Sequence, residues 1–223
     1  MDLKNNSVAV VDSGIGGISV LMQLIKKFGG GNYIYFADNL YMPYGNKSKT
    51  FIAKRMENII GLLQTKYNVE KVVIACNTAS TCIDVSKYNN IHTMNFNKNL
   101  TFLATSLTKK NLVGYKVLGD KTLAKQIEKY IFNEKKLKQC VKRHIKQHNL
   151  WKYTEMVLGC THYELVAKYF KQYSPKTTFV SNSEAAIANI NIPQTTELNI
   201  VLLMSKPSEK FYNKFKHTIS FLW

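Results

Sequence analysis

The sequence has little of what marks several protein classes. Its 223 residues include only 4 cysteines and 4 prolines. A chain of this size with so few cysteines does not form a disulfide framework, so we expect free thiols. No apolar run approaches the ~18 residues of a membrane span, and the first residues carry an acid and turn polar, unlike a secretory signal. We therefore expect a globular protein located in the cytoplasm.

Acidic residues are also scarce. The chain has 14 acids against 31 lysines and arginines, which gives a formal charge of +17. Such a charge could serve nucleic-acid binding, but the lysines are scattered over predicted helical faces instead of being clustered. The densest run, at 133–149, predicts a helix with a solvated face. We expect no nucleic-acid partner, and note that the same positive field would favour a small anionic substrate.

Short apolar segments alternate with amphipathic ones, a pattern typical of βαβ units and a parallel sheet. The pattern predicts strands at 7–12, 33–38, 71–75, 115–119, 155–159 and 198–205. It predicts helices at 48–67, 80–88, 98–109, 121–136 and 162–173. The sequence thus predicts an α/β protein with two similar lobes, each built on a small parallel sheet flanked by helices. We assign 1–96 plus 183–223 to the first lobe and 97–182 to the second.

Two thiols occupy the same kind of position in the predicted fold. Cys76 follows the strand in "VVIACNTAS" (72–80), and Cys160 follows the strand in "MVLGCTHYE" (156–164). Ligands of open α/β sheets bind at the carboxyl ends of strands, so we expect both thiols, with Asp12, to face one crevice between the lobes. A thiol at a helix start gains from the helix dipole, which favours the reactive thiolate.

Each of these features has a simpler structural interpretation. Either cysteine alone could be a small buried hydrophobic residue, and His162 could serve as a structural or capping residue. "DSGIGG" at 12–17 is a tight turn whose glycines admit close approach of a ligand, but it lacks the Walker lysine of a nucleotide site. A zinc site from Cys76, Cys82, Cys160 and His162 is conceivable, yet no close Cys-x-x-Cys pair anchors it. Cys82 and Cys140 have no polar neighbours in sequence and are interpreted as packing residues.

In combination, the segments "VVDSGIGGISVL", "FAD…PYG", "VVIACNTAS" and "LGCTHYELV" resemble the signature segments of bacterial glutamate racemases, within the aspartate/glutamate racemase superfamily. The resemblance covers most of the chain and is dense at 7–80 and 155–166. It implies an isomerase that interconverts L- and D-glutamate without pyridoxal phosphate or metal, and that supplies D-glutamate for peptidoglycan. It also implies that one thiol removes the α-proton from one face while the other delivers a proton to the opposite face.

The resemblance further implies roles for individual residues. Cys76 and Cys160 would be the acid/base pair, assisted by Asp12 and His162 respectively. The substrate's carboxylates and ammonium would be held by Ser13, Tyr44, Gly45, Asn77, Thr78 and Thr161. Family members often dimerise, which suggests a homodimer.

The chain also departs from the family pattern. It is shorter, and the segment before "EMVLGC" lacks the "EEG" stretch that normally adds a glutamate to the site, so no glutamate is assigned. A shortened second lobe could favour aspartate or another acidic amino acid as substrate. From a different class, a non-catalytic binding protein on the same fold is the main rival, although it would have little need for both thiols.

Overall fold

The computed structural model of the protein describes residues 7–192 and 196–222. The predicted first lobe therefore includes residues that lie outside the described ranges, namely 1–6, 193–195 and 223. The described strands are β1 (Ser7–Asp12), β2 (Gly31–Ala37), β3 (Lys71–Ile74), β4 (Ile91–Thr93), β5 (Thr101–Thr105), β6 (Lys116–Asp120), β7 (Glu155–Gly159), β8 (Thr178–Ser181) and β9 (Leu198–Met204). The described α-helices are α1 (Ile18–Phe28), α2 (Lys49–Tyr67), α3 (Asn77–Ser80), α4 (Ser106–Asn111), α5 (Leu123–Tyr130), α6 (Glu134–His148), α7 (Thr161–Glu164), α8 (Ala167–Tyr173), α9 (Asn182–Ile187) and α10 (Glu209–Leu222).

The strands form two sheets. The first has the order β4-β3-β1-β2-β9 and the second the order β6-β5-β7-β8. All the strand pairs are parallel, and helices cover their faces, as parallel sheets require. The predicted α/β fold with two small parallel sheets is confirmed.

One large apolar core joins the two sheets. Its members come from one face of the first sheet, such as Val8 and Tyr35, from the second sheet, such as Leu158, and from the helices, such as Phe170 of α8. Helix α1 lies between them, in contact with α7, α9 and α10. The amphipathic α1 buries Leu21, among others, in this core. The packing therefore holds the carboxyl ends of β1 and β7 close to each other.

The predicted helix at 98–109 is wrong over its first half. Residues Thr101–Thr105 form β5, a central strand paired with both β6 and β7. Phe102, Leu103 and Ala104 are all buried, because a parallel strand covered on both faces is apolar without alternation. A short continuous apolar run of this kind does not distinguish a strand from a buried helix.

Three other predicted helices have different bounds. The segment 80–88 is not a helix: α3 ends at Ser80, and the side chain of Asp84 accepts the Ser86 N–H in a single 3-10 turn. The predicted helix at 121–136 is divided into α5 and α6, because the side chain of Asn133 caps a new helix start. The predicted helix at 162–173 is likewise divided, into α7 and α8.

Helix α6 is the predicted lysine-rich helix, and its face toward the core buries Leu137, Val141 and Ile145. Cys140 is buried on the same face. Across the described ranges, none of the helices is both long enough and apolar enough to span a membrane.

Candidate active site

Each sheet places one cysteine at the start of a short helix. Cys76 follows β3 and is the N-cap residue of α3, while Cys160 directly follows β7 and is the N-cap residue of α7. The two residues are 7% and 6% exposed, respectively. This equivalence follows from the topology, because both come at the carboxyl end of an inner strand of a parallel sheet.

Both cysteines line one small cleft between the sheets. The cleft encloses about 20 Å³, which is room for about one water molecule. Its lining residues are Ser13, Pro43, Tyr44, Gly45, Cys76, Asn77, Thr78, Thr105, Ala124, Cys160, Thr161 and His162. The structure thus brings together every predicted site residue except Asp12. This volume is smaller than an amino acid, so binding of one requires the cleft to widen.

Asp12 lies directly behind the cleft. One carboxylate oxygen accepts the N–H of Gly14 at 2.8 Å, and the other accepts the Thr161 hydroxyl at 3.0 Å. Burial raises the pKa of Asp12, although the positive charge of His162 and these two hydrogen bonds oppose the rise. The Asp12 carboxyl is therefore suited to hold a proton near Cys76.

The thiol of Cys76 is more difficult to ionise than the sequence predicts. Burial raises its pKa well above the ordinary value, the charge of Asp12 raises it further, and the Ala79 N–H and the Ser13 hydroxyl offset only part of the rise. The prediction that the helix start lowers the pKa of the thiol is therefore wrong for Cys76. The reason is that desolvation of a buried thiolate outweighs the dipole of the four-residue helix α3.

His162 is the central residue on the Cys160 side of the site. Its Nε2 lies 2.8 Å from Oε2 of Glu128, which α5 buries to 5% exposure. Burial opposes the charged imidazolium, but hydrogen bonds with Cys160 and Glu128 raise the pKa of His162 well above its ordinary 6.5. A protonated His162 beside Cys160 can exchange a proton with that thiol.

Sequence reasoning missed Glu128, because no motif surrounds it. Burial raises the pKa of this carboxyl, but hydrogen bonding and charge from His162, and then from Lys214, lower it below the ordinary value overall. One signal was available: Glu128 directly follows Ile127 on the buried face of an amphipathic helix. A charge at such a position is rarely buried without a partner.

Tyr44 is held in place by a buried ion pair. Its hydroxyl donates to Oδ2 of Asp38, the residue after β2. Arg55 of α2 donates to both oxygens of the same carboxylate, at 2.9 and 2.8 Å. Burial opposes ionisation of Asp38, yet the hydrogen bonds from Arg55 and Tyr44 lower its pKa. Asp38 and Arg55 therefore fix the Tyr44 ring at the wall of the cleft.

Asn77 and Thr78 differ in how their polar atoms are satisfied. The Thr78 hydroxyl lies 3.0 Å from that of Thr105 and 3.2 Å from that of Thr108, across the two sheets. Oδ1 of Asn77 accepts a hydrogen bond from Asn182 at 2.7 Å. Its Nδ2 is buried and, among the described residues, has no hydrogen-bond partner. Asn77 thus offers the cleft a donor suited to a carboxylate.

The glycines of the DSGIGG turn, which follows β1, allow this turn to lie directly against the start of α7. A Cβ at Gly16 would lie 2.7 Å from Nδ1 and 2.9 Å from the backbone N of His162, and would also contact the Thr161 hydroxyl. A Cβ at Gly14 would lie 3.0 Å from Oε2 of Glu128. A side chain at Gly16 would therefore push the start of α7, which follows Cys160, away from the turn.

Comparisons with known proteins agree with this geometry. No protein-family model matches the chain. Curated glutamate racemases match it at 30% identity: that of Clostridium acetobutylicum with 85% of this chain and 84% of the relative covered, and that of Buchnera aphidicola subsp. Schizaphis graminum with 96% and 94% covered.

Solved structures show the same fold at lower identity. Glutamate racemase isoform RacE1 from Bacillus anthracis superposes with a TM-score of 0.77 at 21% identity, covering 96% of this chain and 92% of that one. Escherichia coli glutamate racemase, solved with L-glutamate and the activator UDP-MurNAc-ala, superposes with a TM-score of 0.77 at 24% identity, covering 98% and 96%. The class of protein is thus an α/β isomerase acting on a small molecule. The chain belongs to the glutamate racemase family.

Proposed function

We propose that the protein interconverts L- and D-glutamate through the thiols of Cys76 and Cys160. The observation that carries this proposal is that two thiols from different sheets line a single cleft. Inversion of a stereocentre requires one acid/base group on each face of the α-carbon, and two strand ends that face each other provide such a pair. The glutamate racemases among the relatives support glutamate as the substrate.

The proposed reaction begins with abstraction of the α-proton by one thiolate. The electron pair of the Cα–H bond stays on the α-carbon, and the other thiol then gives its proton to the opposite face. The net result is inversion with no oxidation or reduction. Because the α-proton is very weakly acidic, enclosure of the reacting groups and hydrogen bonds to the α-carboxylate must lower the barrier.

The neighbours of each thiol suit the two proton transfers. On the Cys76 side, Asp12 has a raised pKa and can take or return the thiol proton. The α-ammonium of a bound amino acid adds positive charge near Cys76, which favours the thiolate that burial disfavours. On the Cys160 side, His162, which is paired with Glu128, can likewise take or return the thiol proton.

The polar residues of the cleft account for substrate binding. The Nδ2 donor of Asn77, the hydroxyl of Ser13 and the backbone of Gly45 are the proposed partners of the two carboxylates. Thr161, whose hydroxyl donates to Asp12, lines the cleft beside them. Tyr44 and Thr78 form the adjoining wall. An acidic substrate also suits a chain whose formal charge is +17.

The decisive test is exchange at the α-carbon. Purified protein incubated with either enantiomer in deuterated water should introduce deuterium at the α-carbon, as measured by proton NMR, and should also form the opposite enantiomer. Parallel reactions with aspartate rank the two substrates. Absence of exchange with both amino acids would exclude the proposal, and salt-dependent binding to DNA in that case would favour a binding protein.

We further propose that the enzyme acts in the cytoplasm, where its D-glutamate serves peptidoglycan synthesis, and that it forms a homodimer. The family to which the chain belongs supports this setting. Light scattering coupled to gel filtration measures the mass in solution, and a mass near the 25.5 kDa of a single chain would exclude the dimer.

A further inference from the structure

A lysine of the last helix reaches the proton-transfer residues of the site. Nζ of Lys214, on α10, donates to the backbone O of Glu128 at 2.8 Å and to its Oε1 at 3.1 Å. The Lys214 side chain is 12% exposed and that of Glu128 is 6% exposed. Nζ therefore fixes both the main chain and the side chain of one residue of α5.

The other oxygen of the same carboxylate faces the site. Oε2 of Glu128 lies 2.8 Å from Nε2 of His162 and accepts the N–H of Ile15 at 3.3 Å. A single carboxylate thus joins the C-terminal helix, the DSGIGG turn and the helix that begins after Cys160. Its position determines where the imidazole of His162 lies relative to the Cys160 thiol.

The packing of α10 fixes the base of the Lys214 side chain. Phe211 and Phe215 of this helix are buried in the main core, and the ring of Phe215 lies 5.1 Å from that of Tyr35. Lys214 directly precedes Phe215, so its reach toward α5 is set by that core contact. Other lysines of α10 behave differently: Lys210 is exposed, and Lys216 lies over the Tyr212 ring.

We propose that Lys214 is a positioning residue that holds the Glu128 carboxylate against His162, and so couples the C-terminal helix to the Cys160 side of the site. This inference rests on the proposed function for its consequence in catalysis. The contact between Lys214 and Glu128 does not depend on the proposed function, because it consists of two hydrogen bonds within the folded chain.

The charges around Glu128 show why one lysine matters. His162 faces it from α7 and Lys214 from α10, whereas the carboxylate of Asp12 approaches from the end of β1 and the phenol of Tyr35 from β2. Two cations therefore face the Glu128 carboxylate in a buried region. Without Lys214 one of them is lost, and the Glu128 carboxylate takes up a proton more readily.

The test compares Lys214→Met, which keeps most of the side-chain length without the charge, with Lys210→Met as the control on the same helix. The carboxyl carbon of Glu128 is followed by NMR in protein labelled with carbon-13 glutamate, and is assigned by its loss in Glu128→Gln. We expect the titration midpoint of Glu128 to rise by about one pH unit in Lys214→Met. It should stay at the wild-type value in Lys210→Met and largely return in Lys214→Arg.

Racemisation gives a second readout. The acid limb of the kcat/KM profile should move to higher pH by a similar amount in Lys214→Met, with a severalfold loss on that limb below about pH 5 and little loss at about pH 8. A midpoint equal to that of wild type would overturn the role of Lys214 even if the protein is active. If Lys214→Met does not fold, Lys214→Gln is measured instead. Absence of α-exchange in wild type would overturn the proposed function alone, since the NMR titration needs no activity.

Discussion

Replacement of Gly16 by alanine tests whether the DSGIGG turn must lie directly against the start of α7. The added Cβ would lie 2.7 Å from Nδ1 and 2.9 Å from the backbone N of His162. Real Cβ atoms essentially never come this close, and the backbone N cannot rotate away as a flexible side chain could. The start of α7 would therefore have to move, carrying Cys160 and His162 with it.

The size of the effect follows from this required movement. Overpacking of a close-packed interior typically costs about 1–3 kcal/mol of unfolding free energy. A displacement of about 1 Å at reacting groups can lower a rate about 100-fold. We therefore expect Gly16→Ala to destabilise the protein by about 1–3 kcal/mol and to lower kcat/KM for glutamate about 100-fold.

Gly61→Ala is the matched control. Gly61 lies inside α2, and a Cβ built there meets no atom of the described residues within 4 Å. Alanine is the better helix former by about 0.8–1.0 kcal/mol, so this variant should be as stable as wild type or more so, with unchanged activity. Urea denaturation and the α-exchange assay measure both variants. Wild-type stability and rate in Gly16→Ala would refute the close approach of β1 and α7.

Two further predictions concern single side chains. Asn77→Ala removes a buried donor that has no partner among the described residues, so KM for glutamate should rise roughly 5- to 150-fold, for about 1–3 kcal/mol of lost binding; an unchanged KM would exclude Asn77 from substrate binding. The second concerns stability against pH. Burial opposes ionisation of Asp120, but the hydrogen bond from His144 lowers the pKa of Asp120. Burial also opposes the charged form of His144, but its hydrogen bonds with Asp120 and the Cys140 carbonyl raise the pKa of His144. This pair should stabilise the fold by on the order of 1 kcal/mol between about pH 4 and 6.5, and lose that effect as pH rises through the raised pKa of His144 or falls through the lowered pKa of Asp120. Urea denaturation at several pH values measures it, and a pH dependence in His144→Gln equal to that of wild type would contradict it.

Much of the fold could be predicted because polar residues mark the points where apolar strands end. Asp12 ends β1, Cys76 and Cys160 follow β3 and β7, and parallel topology brings such strand ends together. Strand β5 was not predictable in the same way. Its sequence, "TFLAT", has only three apolar residues between two threonines, too short a run to distinguish a strand from a buried helix, so the pairing with β6 and β7 decides its structure.

The sequence predicted residues that meet at one cleft, but it did not predict the electrostatics around them. The cleft contains all the predicted residues except Asp12, which lies behind it. Glu128 and Lys214 come from α5 and α10, which approach α7 only in the folded chain, so no local pattern links them to His162. The raised pKa of Cys76 depends on burial and on Asp12, and neither is visible in the sequence around the thiol.

Racemisation by the single-thiol variants tests the central claim most directly. Cys76→Ala and Cys160→Ala are compared with Cys82→Ala, which removes a buried thiol that does not line the cleft. The rate of formation of the opposite enantiomer is followed by circular dichroism from L- and from D-glutamate. If each thiol serves one face of the α-carbon, both cleft variants lose racemisation in both directions and Cys82→Ala retains it. Sustained racemisation by either cleft variant would contradict the two-thiol mechanism.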